Sequence, residues 1–179
     1  MTTSPGKSSP DRAGEPGGAG SAQASAPTFA FLMSHPAHFL ALGFGTGLSP
    51  KAPGTVGTLA AFPLFWLLQA SPWYWLWVGT FLVVGVWACG VTGRALGVHD
   101  HGGIVWDEVA AFLLVLPFAS ATLGGYVLAF ALFRLFDIWK PFPIGWLDAR
   151  LKGGLGVMLD DVLAAVYSIV CLMGVKAWM

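Results

Sequence analysis

The longest uninterrupted apolar stretch runs from Trp73 to Thr92, without a charge, with Trp73, Tyr74, Trp75 and Trp77 at one end and Arg94 just past the other. About 20 apolar residues carry a helix across the hydrocarbon of a bilayer, and aromatics and a cation suit its two interfaces. Leu59 to Ala70 is shorter and broken by Pro63, so it reads as a re-entrant or tilted helix as readily as a span. From Val109 to Trp139 two apolar stretches meet around Pro117 to Gly125, where Ser120 and Gly124-Gly125 favour a turn. That pattern predicts a helical hairpin. A last helix is expected from about Leu159 to Trp178, after a glycine-rich loop beginning at Gly153. No alternation of polar and apolar positions is long enough for a strand, so the expected class is all-α, a compact helical membrane-associated domain.

Residues 1–27 are dominated by Gly, Ser, Ala and Pro and offer too little apolar surface to offset ordering. A disordered tail is expected there, followed by a helical domain over residues 28–179. The apolar stretch 28–33 is too short, and its upstream flank too weakly basic, for a secretory signal, so the amino terminus is expected to stay in the cytoplasm. The chain is 56% hydrophobic and only 10% charged, a membrane-type composition. Its formal net charge is zero and it has no basic stripe, which argues against nucleic-acid binding. Cys89 and Cys171 each lie in an apolar run and read as packed free thiols.

Charge matters here by placement more than by amount. After residue 28 there are seven acidic side chains, and six fall in three short words: His99–Glu108, Phe133–Pro141 and Gly153–Asp161; the seventh, Asp148, lies between the last two. Carboxylates set among Trp, Leu, Val and Phe lose hydration when the segments pack, so they need a cation, a metal or a shared proton. The predicted hairpin returns its outer ends to one side, bringing Asp107 and Glu108 near Arg134 and Asp137. The last helix can add Asp160 and Asp161 to the same layer.

Asp107 with Glu108, and Asp160 with Asp161, are the candidate metal ligands, because hard cations such as Mg²⁺ favour carboxylate oxygens. Adjacent helical residues point about 100° apart, so a pair need not give two ligands to one ion. The competing role is capping of helix amino termini, but three acidic words in so acid-poor a chain favour a metal site. Arg134 and Asp137 share a helix face as an internal ion pair, or Arg134 and Lys140 clamp a phosphoryl group. His99 and His101 flank Asp100 in a glycine-rich loop and serve equally as interfacial polar residues, proton donors or ligands. The segment Gly43–Gly57 leads into an apolar helix, and its small residues, with Lys51, Gly54 and Thr55, form either a phosphate cradle or a plain connector. It lacks the Walker order. There is no Gly-x-Ser-x-Gly elbow, no phosphatase-type spacing from Cys89 to Arg94, and no Asp-x-Asp nucleophile pattern.

Four words together, Gly43–Thr55, Val98–Glu108, Phe133–Ile144 and Gly153–Asp161, resemble the phosphatidylglycerophosphatase A family, Mg²⁺-dependent lipid phosphatases that convert phosphatidylglycerophosphate to phosphatidylglycerol. The resemblance covers about residues 35–170 and departs from the family at Ala165, where relatives often carry Gly. It implies an all-helical enzyme at the cytoplasmic face of a bacterial inner membrane. Carried onto this chain, it marks Asp100, Asp107, Glu108, Asp137, Asp160 and Asp161 as the acidic site, with Arg134 and Lys140 beside it. Asp100, Asp137, Arg134 and Lys140 are then expected to serve catalysis, while Asp107, Glu108, Asp160 and Asp161 hold Mg²⁺. The rival function is a small transporter or channel, for which intramembrane acids would form an ion path. Acids in one layer at helix ends favour interfacial chemistry; acids staggered through mid-membrane favour transport.

Overall fold

The structure, a computed structural model, describes residues 26–98 and 100–178, so most of the expected amino-terminal tail lies outside the described residues. The described chain contains eight α-helices and no strand. They are α1 (Phe29–Ser34), α2 (Pro36–Ala41), α3 (Pro53–Leu68), α4 (Tyr74–Leu96), α5 (Trp106–Val115), α6 (Leu123–Trp139), α7 (Ile144–Asp148) and α8 (Gly154–Trp178). A tight 3-10 segment, Gly43–Leu48, links α2 to the α3 approach.

The centre of the bundle is α5, whose Trp106, Val109, Ala110, Ala111, Phe112, Leu113 and Val115 are all buried. Its neighbours are α3, α4 and α8, and α8 also packs on α6 and α7. Removal of apolar surface from water drives this arrangement, at roughly 25 cal/mol per Å² buried. Polar anchors fix its orientation. The Tyr74 hydroxyl donates to the Leu113 carbonyl at 2.5 Å, joining the start of α4 to the end of α5. The Trp106 indole N–H donates to the Phe81 carbonyl at 3.0 Å, and His38 on α2 meets the Thr92 hydroxyl on α4 at 2.9 Å.

Small residues let α8 approach α4 closely. A Cβ on Gly154 would overlap the Val86 carbonyl and crowd the Gly90 amide, and one on Gly85 would press on Met158 and Trp106. Close backbone approach through glycine is the usual way apolar helices associate without a hydrophobic driving force. This explains a correction to the expected boundary. Gly153, at φ +77, makes the turn, whereas Gly154 and Gly156 belong to the helix. The helix therefore begins five residues before Leu159 and puts Asp160 and Asp161 in its second turn, beyond the reach of a capping position.

Two further boundaries differ. Gly124 and Gly125 lie in the first turn of α6, because the Thr122 hydroxyl caps that helix by accepting from the Gly125 amide at 3.1 Å. The turn of the hairpin is therefore confined to the residues just before Thr122. Pro63 lies within a continuous α3 of 16 residues, short of the ~20 a bilayer needs. Helices α4 and α8 are long and apolar enough to cross a membrane. Their outward residues, including Val83, Val170 and Met173, are apolar and exposed, a surface suited to acyl chains rather than water. Exposed Trp73, Trp75 and Trp77 mark one end of the bundle, and exposed Trp139, Phe142 and Trp146 the other.

The packing generates a contrast between two glycines of one helix. Gly154→Ala should destabilise by about 1–3 kcal/mol, because its methyl meets backbone that cannot yield. Gly174→Ala, where nothing lies within 4 Å, should be neutral or stabilise by up to ~1 kcal/mol. Thermal unfolding in detergent micelles reads both, and equal effects would contradict the close α4–α8 approach.

Candidate functional site

Antiparallel α5 and α6 return the first two acidic words to one end of the bundle, where the start of α8 adds the third. Asp100, Asp107, Glu108, Asp137, Lys140, Asp160 and Asp161 line one cavity of about 240 Å³, with Gly102, Ile104 and Ile138. All six carboxylates expected at the site are thus neighbours, as is Lys140. Asp107 and Asp160 are each 6% exposed and Asp161 only 2%; Asp100 is exposed.

Two cations knit the acids together. Arg134 Nη1 lies 2.7 Å from Glu108 Oε1 and 2.8 Å from Asp137 Oδ2. Lys140 Nζ lies 2.5 Å from Asp160 Oδ2 and 3.0 Å from Asp148 Oδ2. Of the two expectations for Arg134, the internal ion pair is what the geometry contains. The Thr58 hydroxyl sits 2.9 Å from the Gly54 carbonyl and 3.3 Å from Glu108 Oε2, and the Asp161 amide donates to Asp160 Oδ1 at 3.1 Å. Two buried atoms have no hydrogen-bond partner among the described residues, Asp107 Oδ1 and Arg134 Nε. Among those residues no three His, Cys, Asp or Glu side chains already converge as an ion cage.

Burial dominates the electrostatics. It pushes the Asp107 carboxyl well above the usual carboxylate range, with repulsion from Glu108, Asp100 and Asp160 adding to it. Glu108 is pushed up to about 7 by burial, which the Arg134 guanidinium only partly opposes. Burial works to lower the Lys140 ammonium, but its hydrogen bond and attraction to Asp160, then to Asp148, raise it on balance. It stays a cation.

The glycine-rich approach to α3 sits differently from a free cradle. Gly54 abuts the Glu108 carboxylate, leaving no room for a Cβ, so a protein anion already occupies the positive end of that helix. Lys51 is exposed, and Lys51, Gly54 and Thr55 are not among the residues lining the acidic cavity. His101 Nδ1 accepts from the Gly103 amide at 3.0 Å and braces its own loop; His99 lies outside the described residues. Sequence reasoning passed over Thr58 and Asp148. Thr58 stands one helical turn after Gly54, a spacing that shares a face, and Asp148 was the one acid outside the three words.

Residues 39–176 match the sequence model of the family described as phosphatidylglycerophosphatase A. The chain is 47% identical over 139 residues to the phosphatidylglycerophosphatase A of Escherichia coli, a match covering 76% of this chain and 81% of that one. It is 43% identical over 155 residues to the Haemophilus influenzae protein of that name, covering 82% and 93%. A Bacteroides thetaiotaomicron protein, provisionally named a phosphatidylinositol-3-phosphatase, is 40% identical over 146 residues, covering 76% and 90%. No solved structure matches.

Glu108 sets the sign of a pH effect. Its folded value of about 7 lies above its ordinary 4.5, so the native state favours the protonated form. The associated stability is full below about 4.5 and is lost as pH rises through 7. Metal-free protein should therefore lose thermal stability from pH 5 to 7.5, with a shallower slope in Glu108→Gln; an unchanged slope would contradict the assignment. Arg134→Ala leaves Glu108 and Asp137 without their cation and should cost about 3 kcal/mol near pH 8. The cost should shrink at pH 5, where Glu108 can take a proton.

Proposed function

The chain belongs to the phosphatidylglycerophosphatase A family, and we propose that it hydrolyses the phosphomonoester of phosphatidylglycerophosphate, with Mg²⁺, to phosphatidylglycerol and phosphate. The observation that carries the Mg²⁺ part is the cavity's charge: six carboxylates with only Lys140 and the adjoining Arg134 to offset them. A phosphate dianion cannot enter such a cavity unless cations come with it. The donor set fits a hard divalent ion. It is all oxygen, and Asp107 Oδ1 is buried with no partner, an arrangement that costs stability unless something binds there.

On this reading Asp107, Glu108, Asp160 and Asp161 would hold the ion. When bound, Mg²⁺ supplies positive charge to the phosphoryl oxygens as the ester P–O bond breaks. Arg134 holds Glu108 and Asp137 in place through its two ion pairs. Lys140 fixes Asp160 through its hydrogen bond. Asp137 or Asp100, both lining the cavity, accepts the proton of the attacking water, whose oxygen ends on the released phosphate, and a proton is returned to the glycerol oxygen that leaves.

Membrane placement follows the same end of the bundle. Lys51, Arg94, Arg134, Lys140, Arg150 and Lys152 lie at or near the acidic end, and Lys176 lies near the other. Cytoplasmic flanks carry the excess of Lys and Arg, which supports a cytoplasm-facing site in a bacterial inner membrane. The acids form one layer at helix ends, where a conduction path would spread them through the middle of the bundle.

Phosphate release by the purified protein from phosphatidylglycerophosphate, phosphatidate and phosphatidylinositol 3-phosphate, with and without Mg²⁺, tests the reading. Phosphatidylglycerophosphate should be preferred, and exhaustive chelation should abolish turnover. Asp107→Asn and Asp161→Asn keep shape but remove a charge, and each should lower activity by at least about a hundredfold with helical content retained. Folded variants with near-normal turnover would defeat the site.

A further inference from the structure

We propose that a basic groove beside the acidic cavity binds the phosphodiester of the lipid headgroup, so that the substrate is gripped at both of its phosphates. The inference rests on the phosphatase reading above and adds a specificity determinant to it. The groove, of about 350 Å³, lies between the end of α4 and the start of α8, and Cys89, Gly90, Gly93, Arg94, Lys152 and Gly153 line most of it. It has two cations and no acid in its wall. None of the four ion pairs among the described residues uses Arg94 or Lys152, whereas Arg134 and Lys140 are already matched to carboxylates.

Arg94 and Lys152 supply the charge of a wall that is otherwise largely apolar. The groove reaches Gly153 at the foot of α8, whose amino-terminal end adds partial positive charge. The opposing negative end of α4 is blunted, because the Gly97 and Val98 amides donate to the Arg94 and Gly93 carbonyls at 3.2 and 3.1 Å. Groove and cavity are neighbours through one wall: the Cys89 sulfur lies against the backbone amide of Asp107. A single glycerol separates the two phosphorus atoms of phosphatidylglycerophosphate, so an anion site adjoining the cavity suits a headgroup that carries two phosphates. A lipid with only a phosphomonoester leaves the groove empty.

Arg94→Gln, Lys152→Gln and the double variant, assayed in uncharged detergent micelles where the substrate is the only phosphodiester, test this. The double variant should lose at least about tenfold in kcat/KM for phosphatidylglycerophosphate, with the loss in KM, the scale of one or two charge-assisted hydrogen bonds. Inhibition by short-chain phosphatidylglycerol, which keeps only the phosphodiester, should weaken by a similar factor. Inhibition by inorganic phosphate, which competes at the acidic cavity, should stay within about twofold. Unchanged kinetics, or weakening of both inhibitors together, would overturn the groove's role. So would a loss that appears only when bulk anionic lipid is added, since that would make the cations membrane anchors. A wild-type protein inactive on phosphatidylglycerophosphate would instead remove the activity on which the inference rests.

Discussion

Six carboxylates gathered at one end of an apolar helix bundle repel one another, and the surrounding elements are arranged so as to meet that repulsion. Two unit charges 4 Å apart interact by about 4 kcal/mol at an effective dielectric of 20, comparable to a sizeable fraction of a domain's net stability. Arg134 and Lys140 each bind two acids, and they come from the end of α6, which faces both α5 and α8. Asp107 and Asp161 enter none of these pairs although they are among the most buried acids. The uncompensated charge is therefore concentrated at the deepest part of the cavity, where a divalent cation has the greatest effect.

The depth of Asp161 is a packing result. Gly85, Gly90 and Gly154 bring α8 against α4, which lets α8 begin early and carry Asp160 and Asp161 inward past its first turn. A side chain at Gly154 would lift the helix away from α4 and shift both carboxylates relative to Asp107. Helix association and site geometry are thus set by the same residues. The outer faces of α4 and α8 need only be apolar, and they tolerate more variety than the glycine seam.

How much of this the sequence discloses depends on the range of the interaction. The three acidic words, the hairpin and its return to one layer are local patterns, and Glu108, Arg134 and Asp137 meet as that topology requires. The start of α8 was misplaced because glycine weakens a helix by propensity, and here a tertiary contact with Val86 overrides propensity. Thr58 and the masking of the α3 terminus by Glu108 depend on a contact fifty residues apart, which no spacing rule reveals. Asp148 looked incidental because its partner Lys140 lies across the α6–α7 corner rather than on one helix face.

Charge of both signs at one end resolves what net charge zero conceals. An acidic cavity alone would attract cations and repel an anionic lipid; a basic groove alone would bind any phosphodiester in the membrane. On the proposed reading, the two placed side by side favour a headgroup that carries two phosphates. On that reading hydrolysis removes the phosphate held at the acidic cavity and leaves the product attached by the groove only. Losing one of two linked contacts weakens binding by more than its share, because the remaining contact no longer benefits from the other's effective concentration. Product that resembles bulk membrane lipid thus leaves readily, as an enzyme working amid an excess of its own product requires.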